Sequence, residues 1–596
     1  MIVAALATMA ATVMVVPPSL VSAAGLANAP QWTAPAGLGP ERPATCPALT
    51  PGTTMPIAPS DATSSVTGTP VWPVLQSGDP TAFATYLHTA VTATPQVPSN
   101  WASDGSDWKL GAERSADTTI SSNPQELCGV QGNSVDTAWQ TTTGAPTTVI
   151  GVLDSGIRWC DPGTVEKIAL NRAALPAPED AQGRTKADLV AAGATPSDTD
   201  PYDLLGIGVL DVAQYAADPR VAAVEAAYGG TYCSSGGGEY TGISAEDLIR
   251  TFGRPTLPDT SSNPSYYAVT TNGFTEAIAG WNFVDNTNDP IDDVSYGHGT
   301  GEAGDMAGSA GSTGNGVGAC PSCRVLPVRV GTSFIAASNA FAQGVAFAVD
   351  SGATIVSEAL GAIDHTSSAT QAIDYASAHG VPIVASSADE ESEHANLPSS
   401  MSNQVIDVNS STRASAGIGP ASALLLNGCT NYGPQISVTV ESSSCSSEAT
   451  GKTSGIIGLA ETAAAQSMAA GTITAYPGVT NGVGASVPLS ANEILQLVTM
   501  SADDVDFTTA APSASPPAKH NNFALTSPTT FNILGITSKR YKSTPGYDLS
   551  TGYGRIDAAR IVRRIATGQI PPEALVSSPT PGLVAVSYTH LTLPTN

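Results

Sequence analysis

Three residue types that together can activate an alcohol occur in this chain, far apart and in separate settings. His298 lies in Asp292-Asp-Val-Ser-Tyr-Gly-His298-Gly-Thr-Gly-Glu-Ala-Gly304, where flanking glycines and small residues describe a loop entering a closely packed helix. A lone histidine is more often a hydrogen-bonded structural residue than a catalyst. Its company changes that reading. Thr147-Thr-Val-Ile-Gly-Val-Leu-Asp154-Ser-Gly is an apolar run ending in a carboxylate, and Ser442-Ser-Ser-Cys-Ser-Ser447-Glu-Ala-Thr-Gly puts a hydroxyl at the mouth of a small-residue segment. A serine hydroxyl attacks poorly unless a base takes its proton, and that base needs a third group to fix its tautomer. The types therefore assign Ser447 as nucleophile, His298 as general base and Asp154 as the group that orients the imidazole. The order Asp, His, Ser is one of three unrelated chain orders of this geometry.

Something must hold these groups together, and the hydrophobic pattern says what. Short apolar runs at 147–153, 325–330, 353–357, 381–387, 404–409 and 435–440 read as strands, with helices at 338–350 and 368–379 between them. Such alternation predicts an α/β fold of three layers, a mostly parallel sheet covered by helices on both faces. Sites in these folds lie beyond the carboxyl ends of the strands, where Asp154 falls. The Gly-, Ala- and Ser-rich stretch 447–467 suits a helix passing through the middle of the protein. Leu489-Ser490-Ala-Asn-Glu493-Ile494 carries a capping box with a hydrophobic staple, and Ile556-Asp557 starts a second helix that should stop at Gly568. Asp154 and His298 are 298 − 154 = 144 positions apart, too many for one helical connection, so 165–275 is expected to be an inserted subdomain. Within it, Asp203 to Asp211 has the outline of a calcium loop, but Leu205 and Ile207 stand where oxygen ligands are needed, so no calcium is expected there.

Val-Leu-Asp154-Ser-Gly, Gly297-His298-Gly-Thr and Ser446-Ser447-Glu-Ala-Thr, in that order, resemble the three motifs of the subtilisin-like serine proteases, over roughly 120–570. The family usually reads Gly-Thr-Ser-Met-Ala-Thr-Pro at the nucleophile, so Cys445, Ser446, Glu448 and Gly451 are departures; Gly301 replaces a usual histidine. The resemblance implies a peptidase that works through an acyl-enzyme, with no cofactor required for the chemistry. It also implies that peptide substrates lie as an added strand against Ala359, Leu360 and Gly361 on one side and Ser386 and Ser387 on the other. Asp389 stands where the family usually has an asparagine that donates to the oxyanion. An ionised carboxylate cannot donate, so only protonated Asp389 would serve, which suggests work in acid; some relatives carry Asp at this place. The acidic segment with Asp285, Asp289 and Asp292 resembles a loop that binds structural calcium in some members. A weak or inactive peptide-binding relative is the alternative reading, and an esterase using the same triad a third.

Composition sets the surroundings. The 596 residues carry 23 Lys and Arg against 51 Asp and Glu, a net charge of −28. Such a surface argues against nucleic acid or an anionic membrane as partner and suits a soluble, monomeric, secreted protein. Residues 1–24 read as a signal peptide: an apolar run from Ile2 to Val16, then small residues, although no basic residue precedes the run. Residues 25–120 are a Pro-, Ala- and Thr-rich extension with no convincing folded propeptide, and 121–570 are the peptidase domain. The stretch 571–596 is a Pro-rich tail whose last residues resemble translated adaptor sequence. Eight cysteines with an export signal favour disulfides. The cheapest pairings are 320–323 and 429–445; a redox or zinc role for Cys320-Pro-Ser-Cys323 lacks a following thioredoxin-like helix or a second ligand pair.

Overall fold

The computed structural model describes residues between Asn133 and Glu573, leaving out chiefly 194–199, 205–211, 229–242, 253–279, 287–289, 293–296, 309–317, 414–423 and most of 503–546. The expected signal peptide, N-terminal extension, tail and Asp289 lie outside the described residues, as do Cys46, Cys128, Cys160 and Cys233.

The sheet is built around β1 (Val149–Asp154), with β2 (Trp281–Asn282), β3 (Arg324–Arg329), β4 (Ile355–Glu358), β5 (Ile383–Ser386), β6 (Val405–Arg413), β7 (Leu424–Leu426) and β8 (Val438–Glu441). The order is β2-β3-β1-β4-β5-β6-β7, with β8 also paired to β6. Every pairing is parallel except β6 with β7. Parallel strands buried on both faces need unbroken apolar runs, which is why β1 reads Val-Ile-Gly-Val-Leu before its terminal aspartate. Successive side chains leave a strand on opposite faces. Accordingly Val152 joins one core with Ile456, Ile494 and Ile561, whereas Leu153 joins another with Phe341, Val345 and Ile373. Each such fully buried side chain contributes on the order of 1.5–3 kcal/mol.

The helices follow in chain order as α1 (Val135–Ala138), α2 (Lys186–Ala191), α3 (Pro219–Tyr228), α4 (Ala245–Phe252), α5 (His298–Ala307), α6 (Ser338–Asp350), α7 (Ser367–Ala378), α8 (Ser446–Ala469), α9 (Ala491–Ser501) and α10 (Ala558–Ala566). α6 and α7 cover the face of the second core; α5, α8, α9 and α10 fill the other. α8 is buried along most of its 24 residues. A helix closed in on every side has no room for large residues, and its Gly, Ala, Ser and Thr content meets that limit. α9 starts at the capping box: Glu493 N–H donates to Ser490 Oγ (3.1 Å) and Ser490 N–H to Glu493 Oε2 (2.9 Å). α10 starts on Asp557, whose carboxylate accepts from Arg560 N–H (2.9 Å), and ends before Gly568 at φ 71°. It packs on α8 and α1, and the residues leading into it tie down two distant segments. Ile556 N–H donates to Thr439 O (3.2 Å) and Ala558 N–H to Asn133 O (2.9 Å).

Disulfides join Cys320 to Cys323 and Cys429 to Cys445. Between Asp154 and His298 the described helices are α2, α3, α4 and the short 3-10 turn Val212–Tyr215. There Asp203 pairs with Lys186 (3.8 Å) and accepts from Gln214 Nε2 (3.2 Å); residues 205–211 of the segment that outlines a calcium loop are outside the described residues.

Candidate active site

Asp154 is the last residue of β1 and is buried. Its Oδ1 accepts from its neighbour Ser155 N–H (2.6 Å) and from His298 Nδ1 (2.8 Å). The pairing needs glycine beside it. A Cβ at Gly299 would lie 2.3 Å from Gly156 O and 2.9 Å from Asp154 Cβ, so any side chain there would push the histidine helix away from the strand. With Nδ1 engaged by the carboxylate, Nε2 is left as the nitrogen that can take a proton.

Ser447 stands in the first turn of α8 and is nearly buried; its Oγ donates to Ala359 O (3.2 Å). The register of two helices places it. A Cβ at Gly451 would meet Glu302 Oε2 at 2.6 Å, and one at Gly455 would meet Met306 O at 2.6 Å. These pairs share one offset, 451 − 302 = 149 and 455 − 306 = 149, so α5 and α8 run side by side in the same direction. Ser447 and His298 have that offset too (447 − 298 = 149), which puts the two residues at the matching ends of the helices. The N-terminus of a long helix also presents unpaired backbone N–H groups and favours negative charge.

Asp389 follows β5 at a strained bend. Ala388 has φ 70°, a left-handed conformation that costs a residue with a Cβ roughly 1–3 kcal/mol and concentrates at functional sites. Asp389 is exposed as a residue, but its carboxyl is crowded. Oδ1 accepts from Ser446 N–H (2.9 Å) and Ser446 Oγ (2.6 Å), and burial of the group raises its pKa against those hydrogen bonds. Ser446 Oγ also shares a hydrogen bond with Ser386 Oγ (2.6 Å).

The positions expected to hold substrate divide. Ala359 offers the carbonyl that Ser447 touches. Gly361 turns at φ 89°, its N–H donating to Glu358 Oε1 (2.6 Å) and its carbonyl accepting from Ala336 N–H (2.8 Å). Leu360 is buried. Ser387 faces inward: its N–H donates to Val408 O (2.9 Å) and its hydroxyl pairs with Thr430 Oγ1 (3.1 Å).

In the acidic loop, the described carboxylates engage donors inside the protein. Asp292 is buried near Asp154, with Oδ1 accepting from Ser155 Oγ (3.1 Å) and Oδ2 from Thr300 N–H (3.3 Å) and Oγ1 (2.9 Å). Asp285 accepts from Asn282 Nδ2 (3.0 Å). Both Asp292 oxygens are thus engaged by donors inside the protein. Among the described residues no His, Cys, Asp and Glu group is arranged to hold a metal.

Sequence reasoning missed three carboxylates near the site. Glu302, one turn after His298, brings Oε1 to 4.0 Å from Nε2. Glu358, the last residue of β4, is buried, and that burial pushes its carboxyl up to about 8. Glu448, next to Ser447, accepts from Ser444 N–H (2.6 Å) and Ser442 Oγ (3.0 Å) and pairs with the buried Lys452. The available signals were the spacing 302 − 298 = 4 and a charge at the end of the apolar run of β4. Desolvation alone would depress His298, but Asp154, Glu302 and Asp292 reverse it and carry the imidazole to about 10.

The Subtilase family model matches residues 146–554. Thermitase from Thermoactinomyces vulgaris is 30% identical over 189 residues, 31% of this chain and 67% of that protein. A thermophilic serine proteinase from Bacillus sp. (strain AK1) is 31% identical over 131 residues, 22% of this chain and 32% of that protein. A solved structure, the prenylagaramide maturation protease PagA, aligns at 16% identity with a TM-score of 0.30, covering 45% of this chain and 82% of that one. The match across 146–554 encloses all three motifs and the parallel sheet that carries them, and the chain belongs to the subtilase family of serine peptidases.

Proposed function

We propose that the chain is a secreted endopeptidase in which Ser447 attacks the scissile carbonyl, His298 takes and returns the proton, and Asp154 holds the imidazole. The observation that carries this is the Asp154–His298 hydrogen bond at 2.8 Å, with Ser447 on the facing helix at the offset shared by the two glycine contacts. Attack moves the Ser447 proton to Nε2 and negative charge to the carbonyl oxygen. Collapse expels the amine, which receives that proton, and water repeats the sequence on the acyl-enzyme. The developing oxyanion would be met by the first N–H groups of α8 and by protonated Asp389, whose Oδ1 serves Ser446 and whose Oδ2 would carry the proton. Export is supported by two disulfides, and among the described residues no helix is long and apolar enough to cross a membrane. Structural calcium at this loop would rest on Asp285 and Asp289 without Asp292.

The pH window follows from two requirements, Asp389 protonated and His298 neutral. Whichever pKa is higher, the active form peaks midway between them. Asp389 lies above its ordinary value near 3.8 and His298 near 10, so the midpoint falls above about 7. This argues against the acid optimum that Asp389 alone suggests.

Labelling with a fluorophosphonate across pH 5 to about 10 tests the reading, with Ser447→Ala as control. Wild type labels and the variant does not. The absence of wild-type labelling at any pH would favour the inactive peptide-binding alternative, which draws on the same feature: an ionised Asp389 repels the oxyanion.

A further inference from the structure

Glu302 is used by nothing in the mechanism above, yet it is the second carboxylate nearest the base. It shares α5 with His298, lies 4.0 Å from Nε2, and is buried. Its Oε2 is buried with no hydrogen-bond partner among the described residues. The space it occupies exists because residue 451 is glycine; a Cβ there would be 2.6 Å from that oxygen. The departure at Gly451, on the nucleophile helix, thus makes room for a carboxyl on the histidine helix.

We propose that Glu302 is a positioning residue for the catalytic base: together with Asp154 it clamps His298 between two carboxylates and favours its protonated form, the state His298 must reach as Ser447 attacks. The inference rests on the triad reading above. Charged groups approach this pair from every side. Asp305 lies on the same helix, Asp154 on β1 and Asp292 on the preceding loop. Glu448 and Lys452 come from α8, Glu358 from β4, Asp389 from the loop after β5, and Glu441 faces Lys452 from β8. Lys452, the cation among these groups, is paired with Glu448, and the Arg158 guanidinium lies against Gly297, just before the base, and donates to Asp292 O (3.2 Å). Burial pushes the Glu302 carboxyl up and the imidazolium pulls it back, so the two titrate as a pair. A full charge at 4 Å, even in a medium far more polarisable than dry protein, moves a partner's titration by more than a unit.

Two measurements on the full chain test this. The titration of His298, identified among the seven histidines by its loss in His298→Gln, is followed by NMR in wild type and Glu302→Gln. Its midpoint should fall by at least about one pH unit in the variant. In the Asp389→Asn background, where the rate no longer waits on that carboxyl, the acid limb of kcat/KM should move down by the same amount. Glu302→Gln keeps shape and burial, so a merely structural role leaves both midpoints in place, and that result overturns the proposal. The NMR arm needs no turnover. A shifted titration without activity would leave the clamp standing and remove the protease reading; an unshifted one with normal labelling would do the reverse.

Discussion

Asp389→Asn should turn a conditional oxyanion donor into a permanent one. The exchange is nearly isosteric, and the structure indicates how the amide would sit. Its Oδ1 can keep both bonds from Ser446, at 2.9 and 2.6 Å, which leaves Nδ2 where the carboxylate's second oxygen was. The gain depends on pH in a way fixed by the carboxyl. Below the Asp389 pKa the wild type already carries its proton and the variant gains nothing. At that pKa the gain is about twofold, and it then grows about tenfold per pH unit, or about 1.36 kcal/mol, as wild-type donors disappear. It stops growing when it reaches the worth of one oxyanion donor, on the order of 10²–10³ in turnover or about 2.7–4 kcal/mol. Because Asp389 is raised above its ordinary range, the rise begins later than for an exposed aspartate. The assay is kcat/KM on a chromogenic peptide amide from about pH 4 to 10, with active sites counted by fluorophosphonate at each pH. The variant should follow a single rising curve set by His298. A variant no faster at any pH, or faster only in acid, would mean that Asp389 does not face the developing charge.

Two further predictions concern stability. Glu461 is buried in the middle of α8, Oε1 has no hydrogen-bond partner among the described residues, and burial pushes the carboxyl up to about 8. The fold therefore favours the protonated acid. Its stability is fully present below the ordinary value of 4.5 and is lost as pH rises toward about 8, by on the order of 3 kcal/mol at pH 7. Glu461→Gln should raise the melting temperature at pH 7 and above and leave it unchanged at about pH 4; equal effects at both would refute this. Lys452→Met should destabilise by about 3–5 kcal/mol in urea, since Glu448 is left buried without its partner. A loss of less than about 1 kcal/mol would show that Glu448 finds compensation elsewhere.

Much of the frame was readable in advance because its signals are local. The β1 run ends at Asp154 as expected, the capping box at Ser490 and Glu493 starts α9 where its pattern says, and both disulfides follow from short separations. The three site motifs were legible for the same reason. What stayed hidden depends on neighbours distant in the chain. Nothing around Asp292 tells that its carboxylate turns inward to Ser155 and Thr300, because the donors come from another strand end and a helix not yet placed. Gly451 reads as a lapse from the usual motif until α5 lies beside it and Glu302 fills the space. Asp389 alone does not fix a pH preference, since the charges that raise His298 come also from Asp154, Asp292 and Glu302.

The docking of α10 has a consequence for the protein during its own synthesis. The helix α8 leans on α10, and the residues at the start of α10 fasten β8 and the segment at Asn133. A nascent chain that has emerged only as far as residue 500 holds Asp154, His298 and Ser447 but lacks the helix that α8 packs on. α8 can therefore complete its packing only after α10 has followed it out of the ribosome.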